Sequence, residues 1–209
     1  SSAIGATLPM RRQLAPPSLV LRIVPDAPTT NAVAASGMEI ARRPGAPAAT
    51  VIAKLGDDIS TDVIYPGRYM ATVLPSETPQ YAFADDAELS RRLKGKEIQP
   101  GSVIVAGENF GCGSSREQAC SCLKGYELTI VAMGFARIFL QNAVNLGLET
   151  FVVPEIEAEM GDELQFGIDS VKNIMSGKEY ALLPHAATRQ TVINAGGLIS
   201  YARQRLMAK

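Results

Sequence analysis

The chain has 209 residues, 46% of them hydrophobic and 20% charged, with 20 Lys plus Arg against 21 Asp plus Glu. That balance predicts one soluble globular domain with a sizeable core, with or without an extension, and offers no polybasic field for nucleic acid. Three cysteines, an odd number, argue against a disulfide framework and for a reducing compartment, and no apolar stretch is long enough to span a membrane.

Residues 1–48 are rich in Ala, Pro, Ser and Thr, and their prolines interrupt helix and sheet alike, so they read as an extension ahead of a domain over 49–209. The first acidic residue is Asp26, after Arg11, Arg12 and Arg22. This is compatible with an organellar transit peptide, while composition alone favours a translated leader or a partner-covering arm. A first strand is predicted over Ala49 to Leu55, then the punctuated loop "GDDISTDVIYPGRYM" and a helix from about Pro79 to Leu93. A strand over Ser102 to Ala106 leads through a glycine-rich turn into a helix from Ser115 to Lys124, and a strand follows over Leu128 to Met133. The helix "ARIFLQNAVNL" is closed by Gly147, and the strand "ETFVVP" comes next. Strand and helix alternating in this way imply parallel pairing through right-handed crossovers. Beyond them, "DELQFGIDSVKNIMSGKEYALL" reads as a small antiparallel flap, and a last helix, "ATRQTVINAGGLISYARQRL", is interrupted by Gly196-Gly197. The fold class is α/β, a parallel-strand core with antiparallel additions.

The stretch with the most chemical content is "GENFGCGSSREQACS", Gly107 to Ser121. It lacks the lysine of a phosphate-binding G-x-x-x-x-G-K-[ST] loop, the third glycine of G-x-G-x-x-G and the last glycine of G-x-S-x-G. Ser114 with Glu117, and Ser115 with Gln118, both have capping-box spacing, so the serines could simply start a helix. Capping alone does not call for three glycines in seven residues or for an arginine that opposes the helix dipole. Backbone N–H groups at a helix start beside a guanidinium form a carboxylate site, and a serine held among them could act as a base.

His185, the single histidine, is far along the chain; a serine hydrolase would need it beside Ser114. Cys120 and Cys122 on one helix point about 200° apart, and Cys112 with a distant histidine has no known ligand spacing, so any metal must come from elsewhere.

Four segments in order, "GDDISTDVIYPGRYM", "GENFGCGSSREQA", "FARIFLQNAVNLGL" and "INAGGLISYARQRL", resemble the small subunits of isopropylmalate isomerase, homoaconitase and dimethylmaleate hydratase. These subunits correspond to the swivelling β/β/α domain of aconitase. The resemblance covers about residues 49 to 207. It implies a hydro-lyase subunit, active only with a large subunit whose cysteines hold a [4Fe-4S] cluster, and a hydroxy-dicarboxylate substrate. It also implies a cytoplasmic role in leucine biosynthesis, or an organellar matrix location if residues 1–48 are a transit peptide.

Carried over residue by residue, the resemblance makes Ser114 the base, with Asp62 the other catalytic residue. Arg116 and the Ser115 backbone donor become the carboxylate and oxyanion grip, and Arg68 a basic substrate-binding residue. Where homoaconitase-like chains place an arginine, this chain has Tyr69-Met70-Ala71-Thr72, so a third carboxylate would go unpaired and an apolar substituent is favoured. That points to 2-isopropylmalate and 3-isopropylmalate, with dimethylmalate and citramalate as alternatives. Gln118 stands where many relatives have histidine. A different class, a non-catalytic anion-binding regulatory module, is the other reading of the glycine-rich helix start.

Overall fold

The computed structural model describes residues 48–95 and 98–208. The extension expected ahead of the domain therefore lies, up to residue 47, outside the described residues. Seven strands form one sheet in the order β4-β3-β2-β1-β5-β6-β7. Strands β1 (Ala49–Lys54), β2 (Val103–Ala106), β3 (Thr129–Ala132) and β4 (Glu149–Val152) are parallel, as their alternation with helices predicts.

Side chains of this parallel half alternate between two cores. Val51, Val103, Val105 and Val131 face one side. Ile52, Ile104, Ala106, Ile130 and Ala132 face the other, where the helices pack. The alternation slips once, between Val51 and Ala53, where the register shifts and Ile52 and Ala53 both enter the helix-side core.

Strands β5 (Glu163–Phe166), β6 (Ser170–Asn173) and β7 (Glu179–Ala181) pair antiparallel, as expected, but they are not a peripheral flap. β5 extends the main sheet by pairing with β1, and just past β7 Leu183 donates its N–H to the Val152 carbonyl of β4 at 2.9 Å. The two ends of the strand order are thereby joined, and Phe151, Leu164, Phe166, Val171 and Tyr180 fill the enclosed core. Short runs split by turns disguise this role, because each strand is only three or four residues long.

On the helical side, α1 (Thr61–Ile64) is a single turn capped by Ser60, whose Oγ accepts the Val63 N–H. The helix expected over residues 79–93 is instead two pieces. Pro79 opens a 3-10 turn at Thr78–Tyr81, Phe83 takes a left-handed conformation (φ 49°), and α2 (Ala87–Lys94) starts afresh where the Asp86 carboxylate accepts the Leu89 N–H at 2.9 Å. Helices α3 (Glu117–Gly125) and α4 (Arg137–Leu146) are the crossovers, and α4 ends, as predicted, on Gly147 in the left-handed region. The last segment forms α5 (Ala187–Asn194) and α6 (Leu198–Met207), broken at the two predicted glycines. No described helix is long and apolar enough to cross a membrane.

Candidate active site

The loops leaving the C-terminal ends of β1, β2 and β3 are laced together by main-chain hydrogen bonds, the end of a parallel sheet where ligands are bound. Asp58 N–H donates to Glu108 O (2.9 Å), Gly111 N–H to Ile59 O (2.7 Å), Thr61 N–H to Cys112 O (2.8 Å) and Phe110 N–H to Gly134 O (2.9 Å). Two non-glycine residues here are left-handed, Asp58 (φ 55°) and Asn109 (φ 58°), and the Asn109 amide donates to the Asp58 carboxylate at 2.7 Å. Asp and Asn are the residue types that tolerate that conformation, so the loops carry little strain from it.

Gly111 and Gly113, both at positive φ, steer the chain toward α1. A Cβ on Gly111 would lie 2.2 Å from the Phe139 ring, whereas one on Gly113 would meet nothing nearer than Thr61 Oγ1 at 3.4 Å, an ordinary van der Waals contact. Because the left-handed turn at Gly113 holds Ser114 and Ser115 outside the helix, neither serine caps it. The helix begins at Glu117 rather than Ser115, its N-cap is Arg116, and no side chain bonds that cap. The capping-box spacing is present, but its geometry is not.

The exposed Ser114 instead meets the buried Thr61, the first residue of α1. Ser114 N–H donates to Thr61 Oγ1 (3.2 Å), and the two hydroxyl oxygens are 3.3 Å apart. Arg116 turns back from the helix start. Its Nη1 donates to Tyr65 O (3.2 Å) and pairs with Asp62 Oδ1, while Nη2 donates to Asp62 Oδ2 at 2.8 Å. With 13% of its side chain exposed against 63% for Asp62, the guanidinium is held inside while the carboxylate rims it. Asp62 also accepts the Gly67 N–H at 3.0 Å. The Arg116 hydrogen bond, seconded by that N–H, holds the Asp62 carboxyl below the usual carboxylate range.

This fork-to-fork pairing uses the Nη1/Nη2 end of Arg116 and leaves the Nε edge without a partner among the described residues. That edge carries two parallel donors, the arrangement a carboxylate accepts bidentately. Ser115, also exposed, has its carbonyl held by the Asn142 amide of α4 at 3.3 Å.

The other expected residues lie on the loop after α1. Arg68 pairs with Asp85 and lies 4.7 Å from the Tyr69 ring centroid, so its guanidinium is engaged there rather than by Asp62 or Ser114. Tyr69 stacks on Tyr81 at 4.2 Å, and its carbonyl accepts the Tyr65 hydroxyl at 3.1 Å. Met70 and Ala71 are exposed and Thr72 is half-buried. The Gln118 amide reaches Met70 O at 3.5 Å, beside a shallow cleft of about 200 Å³ lined by Val73, Pro75, Gln118 and Leu146. No Lys or Arg occurs from Tyr69 to Glu77.

His185 is bound elsewhere, with Nε2 2.8 Å from Thr150 O on β4, which leaves a hydrolase triad around Ser114 without its histidine. The thiols of Cys120 and Cys122 are buried and pushed up by burial, and Cys112 donates to Asp58 O at 3.3 Å. Sequence reasoning missed Thr61, Tyr65 and Asn142. Thr61 sits inside the segment "GDDISTDVIYPGRYM", but its burial is what distinguishes it, and burial depends on the tertiary fold.

Residues 58–155 match the aconitase C-terminal domain. The chain is 41% identical over 158 residues to the 3-isopropylmalate dehydratase small subunit of Thermodesulfovibrio yellowstonii, covering 73% of this chain and 92% of that protein. It is 40% identical over 161 residues to that of Aquifex aeolicus, covering 75% and 94%. The crystal structure of 3-isopropylmalate dehydratase from Methanocaldococcus jannaschii superposes with a TM-score of 0.69 at 34% identity, covering 76% of this chain and 95% of that one.

Proposed function

Because the chain belongs to the family of 3-isopropylmalate dehydratase small subunits, we propose that it is the substrate-recognition half of a heteromeric hydro-lyase that interconverts 2-isopropylmalate and 3-isopropylmalate in leucine biosynthesis. The observation that carries the site assignment is the juxtaposition of Ser114 with an inward-held Arg116 whose Nε edge is free of protein partners.

In this reading a substrate carboxylate takes the Nε edge of Arg116, and the N–H groups of Ser115 and Arg116 add donors at the helix start. Asp62 clamps the guanidinium so that only that edge is offered. The carbon next to the carboxylate then lies by Ser114 Oγ, which takes its proton in dehydration and returns one in hydration. The cation-free run from Tyr69 to Thr72 suits an isopropyl group better than another carboxylate.

We assign the [4Fe-4S] cluster, and with it the polarisation of the leaving hydroxyl, to the large subunit. The residues described here do not fit such a group: Cys120 and Cys122 are buried, Cys112 is bonded to Asp58 O, and no three His, Cys, Asp or Glu side chains converge as a ligand set. A cytoplasmic location suits the three free thiols.

The test is Ser114→Ala reconstituted anaerobically with the large subunit. Assembly should persist while turnover falls at least about a thousandfold, as for loss of an essential base; near-normal turnover would overturn the assignment. Assays with isopropylmalate, dimethylmalate, citramalate and homocitrate separate the substrates, and preference for homocitrate would refute the reading of Ala71 and its neighbours.

A further inference from the structure

We infer that Thr61 is the positioning residue for Ser114, fixing its rotamer and donating the hydrogen bond that stabilises its alkoxide. The inference rests on the reading of Ser114 as the base. Thr61 is 2% exposed, and its main chain is tied at both ends, N–H to Cys112 O (2.8 Å) and carbonyl to the Tyr65 N–H (2.9 Å). Its hydroxyl makes two contacts among the described residues, and both are to Ser114.

A threonine hydroxyl has one proton and two lone pairs. One lone pair accepts the Ser114 N–H, and across the 3.3 Å between the two oxygens either hydroxyl can donate while both are neutral; once Ser114 is an alkoxide only Thr61 has a proton to give. Between neutral hydroxyls that bond is long and weak. Once Ser114 is ionised it becomes charge-assisted and shortens, and because Thr61 is buried its hydroxyl is not drawn away by water. A donor to the charged form lowers the pKa of the group it serves.

In the hydration direction the Ser114 O–H bond breaks and its proton goes to one carbon of the substrate C=C bond; the π pair forms the new C–H bond, and the other carbon takes the hydroxyl of a water. The electron pair stays on Oγ, where Thr61 meets it. In dehydration the same atoms run in reverse, and Thr61 keeps its own proton throughout. The titratable and charged groups flanking Ser114 are Asp62 and Arg116, which pair with each other, Cys112, whose thiol donates to Asp58 O, and Glu117 on the first turn of α3. None of them is a hydrogen-bond partner of the Ser114 hydroxyl, so the acid limb of kcat should report Ser114 as tuned by Thr61.

The experiment compares Thr61→Val and Thr61→Ser in the complex with the large subunit, using isopropylmalate. Thr61→Val should lower kcat on the order of tenfold to a hundredfold, as for loss of a hydrogen bond to a charged group. It should move the acid limb of kcat upward by about one pH unit or more, with KM little changed, and Thr61→Ser should restore both. Melting of the small subunit and co-elution of the complex are followed alongside. An unshifted acid limb in Thr61→Val, or a loss that Thr61→Ser does not rescue, overturns the inference. Ser114→Ala in the same assay separates the two claims: if it stays active the base assignment falls, and if it is inactive while Thr61→Val is unshifted only the role of Thr61 falls.

Discussion

The arginine at the start of α3 would be unfavourable in an isolated helix, because a cation there opposes the positive end of the dipole. In this fold Arg116 escapes that cost by turning its side chain off the helix start into the Asp62 carboxylate and the Tyr65 carbonyl. Two of its three edges are then spent on the protein and the Nε edge remains, so geometry as well as charge matters. Lysine cannot reproduce this, since an ammonium offers a point charge rather than parallel donors. Arg116→Lys should therefore raise KM for isopropylmalate about tenfold to a hundredfold, measured by steady-state kinetics of the complex.

Asp62 carries a pH consequence whose sign follows from its lowered pKa. A carboxyl depressed in the folded state contributes its support above its unfolded pKa, near 4, and loses it only as pH falls through the still lower folded value. The Arg116 clamp is thus intact across the neutral and mildly acidic range. Asp62→Asn should raise KM but leave the acid limb of kcat where it is above about pH 5; a shifted limb would mean that Asp62 itself titrates in catalysis.

At the level of elements, the turn from β2 into α3 depends on two glycines for different reasons. Gly111 is constrained by both its left-handed backbone and the Phe139 ring, whereas Gly113 is constrained by backbone alone. Gly113→Ala should cost about 1–2 kcal/mol, and Gly111→Ala, with overpacking added, about 3–5 kcal/mol, read as urea midpoints of the small subunit. That distinction was hidden in the sequence, which shows two equivalent glycines. What the sequence did disclose was local: the short apolar runs of β1 to β4, the stop at Gly147 and the break at Gly196-Gly197 are each decided within a few residues. What it concealed was tertiary. Ser114 and Ser115 have faultless capping spacing, yet the backbone at Gly113 takes them out of the helix. Leu183 looks like the end of a flap until its N–H is found on Val152, 31 positions back. The serine-arginine constellation could be read because its residues are contiguous; Thr61, 53 positions away from Ser114, could not.

At the scale of the whole molecule, the cores on both faces of the sheet are built, among the described residues, from residues 51–180, and a third small cluster joins α4 to α5. The surface is less self-sufficient than the interior. Val63, Met70, Val73, Leu74 and Ile138 are large apolar side chains that remain exposed, and they sit on α1, on the loop after it and at the start of α4, the elements that carry or brace Asp62, the proposed specificity loop and Ser115. Exposed apolar groups gathered around a half-complete site mark a contact face, and the proposed occupant is the large subunit that completes the chemistry. Val73 and Ile138 are more than half exposed among the described residues, so with Val73→Glu or Ile138→Glu the melting temperature of the isolated small subunit should hold, with a change within about 0.5 kcal/mol. Each should weaken binding of the large subunit by roughly tenfold or more, measured by titration calorimetry, and activity at limiting large subunit should fall in step and recover when the large subunit is in excess. Unchanged affinity in both variants would move the contact face away from the site and leave these side chains without a partner.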